Sequence, residues 1–268
     1  MGKKNLLQRG YPRVTVLGLD EVAPHKGQGN YRLIISAPED GYVLDVLKDR
    51  KKATLEAWFD ARGADWCAAV EVCCADMWDG YHEAAQLKLP HARLVVDRFH
   101  VMHNLLDAVT NARRVIQKQA DAQTAEQLKG CRWLLVKNRE KLTAEELIKL
   151  DRMLAASPRL KACYALKEDF RAWFNAPHDR ATAAIELDAW LARVAASGLK
   201  ALQSFTKTLG NWRERILNYF DGRHSNGFAE GVNLKIKLIN RRAFGYRNFE
   251  NFRLHVLVAF EPVLHQSR

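Results

Sequence analysis

Apolar residues in the first hundred positions come in short continuous runs, and from about residue 104 they recur instead at threes and fours. VTVLGLD (Val14–Asp20) and YRLIIS (Tyr31–Ser36) are rich in β-branched residues and are expected as strands. GYVLDVL (Gly41–Leu47) follows the second run after the turn residues Pro38, Asp40 and Gly41, so these two should pair antiparallel. In ATLEAWFDAR (Ala53–Arg62) the period changes, and Leu55, Trp58 and Phe59 fall on one side of a helix. AVEVCCAD (Ala69–Asp76) reads as a fourth strand, WDGYHEAAQLKL as a helix, and ARLVVD (Ala92–Asp97) as a fifth strand with a helix opening near His100. The order predicts an α/β fold, a mixed sheet with helices over it. HKGQGN (His25–Asn30) is expected as a hairpin turn.

Between Asn104 and Asn218 strand signals all but vanish, and Ala, Leu, Lys, Glu and Arg dominate. Pro158 and Pro177 should mark helix boundaries. Trp133, Trp173, Trp190 and Trp212 are expected to pack this helical block. The layout is then a sheet region over residues 1–103, a helical block over 104–218 and a basic helical segment over 219–268.

Charge sharpens this picture. The chain of 268 residues carries a net charge of +11, with 14 basic and 14 acidic side chains in residues 1–100, 17 and 12 in 101–200, and 11 and 5 in 201–268. The whole excess lies beyond residue 100, and such a field attracts polyanions, nucleic acid first and acidic membranes second. No apolar run approaches the ~18 residues of a membrane span, and MGKKNLLQRGYPR lacks the apolar stretch of a secretory signal. The cysteines at 67, 73, 74, 131 and 163 form no CxxC pair. They read as reduced thiols in a cytoplasmic protein without structural zinc. GxSxG, Walker and GxGxxG motifs are absent, which removes the usual anchors for hydrolase, NTPase and dinucleotide readings.

Three acidic residues stand out by position. Asp20 closes the first strand run, Asp76 closes the fourth, and Glu230 lies in the late basic segment. Carboxylates on strand ends are held by rigid backbone and can converge on a hard cation such as Mg²⁺; two such ions serve phosphodiester chemistry. Each aspartate also has a plainer reading: Asp76 can cap the helix that follows it, and Asp97 the helix near His100. Asp97, His100 and His103 recur at one helical spacing. They read either as a metal trio or as an Asp97–His100 pair supporting a site, and the absence of further ligands favours the pair.

LGLDE, ADMWDGY, VVDRFHV and above all NGFAEGVNLKIKLINRRAFGYRNFENFR carry a resemblance over nearly the whole chain. In that last string Asn226, Gly227, Glu230, Gly231, Asn233, Lys237, Arg241, Gly245, Tyr246 and Phe249 all fit. The chain resembles the catalytic region of the ISL-three family of bacterial insertion-sequence transposases. The resemblance implies a ribonuclease-H-like fold with a helical insertion before the last acidic residue. It also implies a DDE triad, carried over as Asp20, Asp76 and Glu230, holding Mg²⁺ with Mn²⁺ able to substitute. Asp97-Arg98-Phe99-His100 matches a Cys/Asp-x-x-His motif of related transposases, which leaves Asp76 as the ligand and makes Asp97 and His100 supporting residues.

On a continuous helix, residues 230, 233, 237 and 241 share one face and Val232, Ile236 and Ile239 another. Glu230 would then reach metal while Asn233, Lys235, Lys237, Arg241, Arg242 and Arg247 meet DNA phosphates. The implied activity is metal-dependent cleavage at an element's end followed by strand transfer to target DNA. Copies of the chain would assemble on that DNA in the nucleoid, away from any membrane. The family's usual N-terminal zinc-binding and helix-turn-helix part has no counterpart before the first strand, so a fragment or a shortened reading frame is expected. The rival expectations are a non-catalytic DNA-binding remnant and a structure-selective nuclease on the same fold.

Overall fold

The computed structural model describes residues 11–23 and 31–260, so the turn expected at 25–30 lies outside the described residues. Strands β1 (Val16–Val22), β2 (Arg32–Ala37), β3 (Tyr42–Leu47), β4 (Val72–Ala75) and β5 (Arg93–Val96) form one sheet in the order β3-β2-β1-β4-β5. β1, β2 and β3 pair antiparallel, whereas β4 runs parallel to β1 and β5 parallel to β4. Parallel neighbours need a crossover. Helices α1 (Lys52–Arg62) and α2 (Ala64–Cys67) supply it before β4, and α3 (Asp79–Lys88) supplies it before β5.

All-helical chain follows: α4 (Arg98–Gln119), α5 (Ala122–Gln127), α6 (Arg132–Val136), α7 (Ala144–Ala156), α8 (Pro158–Asn175), α9 (Arg180–Ala196) and α10 (Lys200–Leu217). Two last helices, α11 (Gly227–Arg242) and α12 (Phe249–Ala259), complete the described elements. The chain divides into two compact units, Met1–Phe99 with Gly222–Arg268, and His100–Asp221.

In the sheet unit, alternation along the strands feeds two cores. Leu17, Leu19, Leu33 and Ile35 meet Leu55, Trp58 and Phe59 of α1 and Tyr81 of α3. Val22 and Ile34 face the other way and meet Val232 and Ile236 of α11 and Phe252 and Val256 of α12. Burying Val232 and Ile236, each 1% exposed, contributes about 1.5–3 kcal/mol apiece. Ile35 pairs with Asp45 but Ser36 with Val43. Leu44 is therefore an extra residue in β3, which places Val43 and Val46 on one face.

The same unit holds a buried charge. Asp45, 2% exposed, accepts from Arg253 Nε at 2.6 Å, Tyr11 Oη at 2.7 Å and Trp58 Nε1 at 2.8 Å. The pair joins α12 to β3. The Asp45 charge holds the Arg253 guanidinium above its ordinary range despite burial, which acts in the opposite sense.

The helical unit is closed by caps the sequence spells out. Thr143 and Glu146 form a reciprocal capping box on α7. Ser157 caps α8, with Pro158 in its first turn, and Asp179 caps α9. Its core includes Phe170, Trp173, Phe174, Trp190 and Phe205, with Phe170 and Trp190 centroids 4.7 Å apart. Trp190 donates to the Leu166 carbonyl at 2.9 Å, and Trp173 donates to that of Ala183 at 3.0 Å. Trp212 is buried as expected, but Trp133 is not: it is 68% exposed. α6 has only five residues; it buries Leu134 and Leu135 and turns Trp133 outward beneath the Arg132 guanidinium, 5.0 Å from the ring. All five cysteines are buried and free, and burial pushes the Cys73 thiol up to about 12.

Candidate active site

The sheet topology aligns three aspartates. β1 continues two residues past Asp20 to Val22, so Asp20 stands within the strand and not at its end. Asp76 is the first residue after β4, and Asp97 the first after β5. Gly18 pairs with Cys74 across parallel β1 and β4, and Ala75 pairs with Val96 across β4 and β5. Continuing those registers sets Asp20 beside Asp76 and Asp76 beside Asp97, in one row across three adjacent parallel strands.

Their surroundings differ. Asp20 is 7% exposed, Asp76 half-buried and Asp97 4% exposed. Asp76 does not cap α3, whose N-cap is Trp78; its Oδ1 accepts instead from the Met77 N–H at 2.5 Å. Asp97 Oδ1 accepts from the N–H of Asn226 at 3.3 Å and of Phe99 at 3.4 Å. It thus ties the start of α11 to the end of β5. His100 lies in the first turn of α4 and belongs to the helical unit.

α11 is docked on β1 by two asparagines. Asn226, 2% exposed at the N-cap position, donates its amide to the Leu19 carbonyl at 3.3 Å and accepts from Ser36 Oγ at 3.5 Å. Its closeness requires glycine at 18: a Cβ there would lie 2.5 Å from Asn226 Oδ1 and 2.6 Å from Ser36 Oγ. Two turns along, Asn233 donates its amide to Asp20 Oδ2 at 2.7 Å and to the Glu21 carbonyl at 3.4 Å. Asn233, expected among the phosphate contacts, therefore stands at the Asp20 carboxylate.

The helix continues through Gly231, which sets Glu230 on the Asn233 stripe one turn nearer the N-terminus. Glu230 is exposed in the first turn, where the helix dipole favours a carboxylate. Lys237, Arg241, Arg242 and Arg247 are also exposed. Lys235 reaches the Ala259 carbonyl and lies 4.4 Å from the Phe260 ring, so it packs toward the end of α12. Among the described residues, no three His, Cys, Asp or Glu side chains gather closely enough to hold a metal ion. This applies to Asp20, Asp76 and Glu230 and equally to the trio Asp97, His100 and His103.

Several residues at this edge are absent from the sequence reading. His82, 1% exposed, donates from Nε2 to the Asp76 carbonyl at 2.9 Å. Glu21, next to Asp20, pairs with Arg50 at 2.9 Å and accepts from Tyr81 Oη at 3.3 Å. Burial, and then the Glu21 charge, push the Tyr81 phenol upward. The Arg50 guanidinium lies 4.4 Å from the Tyr31 ring and 4.5 Å from the ring of Trp78, which is 43% exposed. The acid pair at 20 and 21 is a usable sequence signal; the partners of His82 and Arg50 have none, since they come from other elements.

Comparison with known proteins shows the family. A family model described as transposase, of the DDE type named for ISL3, matches residues 17–256. The transposase for insertion sequence element IS1001 of Bordetella parapertussis is 31% identical over 254 residues, covering 93% of this chain and 62% of that protein. The transposase for IS1557 of Mycobacterium tuberculosis is 28% identical over 255 residues, covering 87% of this chain and 57% of that protein. The chain thus spans about three-fifths of the length of these relatives. An ATP-dependent protease of Lactococcus lactis is 30% identical over 125 residues, covering 46% of this chain and 37% of that protein.

Proposed function

Since the chain belongs to the ISL3 family of insertion-sequence transposases, we propose that it is the DDE catalytic region, cutting DNA at an element's end and joining it to a target. The fold proposed for the core is ribonuclease-H-like, with the helical unit as an insertion before Glu230. The observation that carries the reading is the Asn233–Asp20 contact at 2.7 Å. It holds the helix that bears Glu230 against the strand that bears Asp20, and Asp76 occupies the register-equivalent place next door.

Asp20, Asp76 and Glu230 offer only carboxylate oxygens, a donor set that fits Mg²⁺, with Mn²⁺ as substitute, and disfavours softer metals. Bound there, the ions would supply activation of the attacking oxygen and stabilisation of the leaving oxygen in phosphodiester chemistry. The chain's own residues do the positioning. The Asn233 amide orients Asp20, His82 anchors the backbone at Asp76, and Asp97 with Asn226 fixes where α11 starts. Lys237, Arg241, Arg242 and Arg247 draw in the DNA backbone. Joining two element ends to a target calls for more than one copy of the chain on the DNA.

Glu230 stands exposed and not gathered with the two aspartates, an observation that favours a second reading, a non-catalytic DNA-binding remnant. Mn²⁺ binding measured by calorimetry, with and without duplex DNA, separates them. The catalytic reading expects binding in the wild type that falls in Asp76→Ala and Glu230→Ala and survives in Asp97→Ala. Equal behaviour of all four proteins, with DNA present, defeats it and leaves the remnant.

A further inference from the structure

The corner between α11 and α12 contains a residue that the packing of the fold does not use. Phe244 is 101% exposed, although the aromatic residues just after it are anchored. Tyr246 and Phe249 pack against the α11–α12 core. The Tyr246 ring centroid lies 5.5 Å from that of Phe252, and its hydroxyl is 2.6 Å from His255 Nδ1.

The backbone that presents Phe244 is closed and specific. α11 ends with Ala243 at its C-cap, the Phe244 N–H donates to the Arg241 carbonyl at 3.1 Å, and the Gly245 N–H donates to that of Asn240 at 2.9 Å. This pair of bonds is the Schellman motif, in which the residue after the C-cap takes a left-handed conformation and is usually glycine. Here that residue is Phe244, at φ 53°. A bulky side chain in the left-handed region is an uncommon and unfavourable choice. It gains nothing in burial at this site, so the fold alone does not account for it.

The surroundings indicate what it meets. Between residues 231 and 249 there are five cations, Lys235, Lys237, Arg241, Arg242 and Arg247, and no carboxylate. Arg241, Arg242 and Arg247 are exposed on either side of Phe244. An apolar ring presented outward by a closed backbone turn in a cationic surround matches nucleic acid, in which bases with π-faces lie behind a phosphate backbone.

We propose that Phe244 is a wedge that stacks on a base of unpaired or distorted DNA while Arg241, Arg242 and Arg247 hold the flanking phosphates. The proposal rests on the reading of the chain as a transposase region and names a contact for its DNA that the carboxylates do not supply.

The test compares the 268-residue chain with Phe244→Gly and Phe244→Trp. The probes are a duplex of about two turns with a short single-stranded overhang carrying 2-aminopurine, and the same duplex fully paired. Glycine suits the left-handed position, so Phe244→Gly should keep or raise Tm. It should bind the overhang DNA about tenfold more weakly, the scale of one lost stacking contact, and lose the quenching of 2-aminopurine. Its salt dependence should be unchanged because no cation is removed. Phe244→Trp should restore both affinity and quenching. Wild-type affinity and quenching in Phe244→Gly overturn the proposal. So does a loss confined to self-association in sedimentation, which would make a second copy of the chain the partner. A wild type that binds but never cuts, with Asp76→Ala indistinguishable from it, defeats the catalytic reading and leaves the wedge standing. A wild type that binds no DNA ends both.

Discussion

Asn233 and Asp20, 213 positions apart in the chain, are joined by a 2.7 Å hydrogen bond from amide to carboxylate. The bond uses one Asp20 oxygen, while the other accepts from the Glu21 N–H at 2.8 Å. The two contacts set the carboxylate's orientation. Outer residues that orient a ligand typically matter 10- to 100-fold. On the catalytic reading, Asn233→Ala should therefore lower metal-dependent DNA cleavage by about that factor with little change in DNA affinity. Asn233→Asp places a second carboxylate beside Asp20, and like charges at that distance resist joint ionisation. Its cleavage should fall off at higher pH than the wild type's as the solution is acidified. Coincident pH–rate profiles for the two proteins would rule out this role for Asn233.

Gly18 tests how closely α11 must sit on the sheet. A methyl group there would press on Asn226 Oδ1 at 2.5 Å and Ser36 Oγ at 2.6 Å, both buried. Gly18→Ala should destabilise by about 1–3 kcal/mol, as overpacking does, which lowers Tm by roughly 2–4 °C per kcal/mol in a protein of this size. Adding Asn226→Ala should recover part of that loss, because the two positions share one space. Thermal melts of the single and double variants decide it; strictly additive losses would contradict the close approach.

The Asp45–Arg253 pair should behave as a buried ion pair. Arg253→Ala leaves Asp45, 2% exposed, with only neutral donors among the described residues, and removing one partner of such a pair typically costs about 3–5 kcal/mol. Asp45→Asn combined with Arg253→Met should cost less than Arg253→Ala alone. Chemical unfolding of the three proteins measures the difference, and a mild Arg253→Ala would show that water already reaches the pair.

Alkaline unfolding should report on Tyr11. Burial first, and the Asp45 charge second, push its phenol from 10.0 up to about 12. The folded protein therefore keeps this proton while the unfolded chain releases it. The stability gained is fully present below pH 10 and is lost as pH rises from 10 to about 12. Tyr11→Phe should show a shallower decline in stability over that window, with a remaining slope from Tyr42, also raised to about 12 by burial. Parallel pH–stability curves for wild type and Tyr11→Phe would remove Tyr11 from this account.

The strands and helices were legible because period carries them. LEAWF places Leu55, Trp58 and Phe59 on one side of a helix, and those are the buried residues of α1. The same reasoning failed at Trp133. Helical spacing says which residues share a face but not which face is covered, and a five-residue helix buries only one. Asp45 was readable in principle: a carboxylate amid GYVLDVL requires a buried partner. That the partner is Arg253 was not, because 208 residues separate them.

By itself the sequence determined the period of each element, the basic final segment and the motif strings that mark the family, since these depend only on residues near one another in the chain. Tertiary structure alone decided that Asp20, Asp76 and Asp97 fall in one row, that Asn233 turns to Asp20 and not to solvent, and that His82 holds Asp76 from behind. It also decided that Phe244 points outward while Tyr246 and Phe249 go in. Each of these depends on which faces of distant elements meet. That is set by the packing of two cores against one sheet, and no local spacing encodes it.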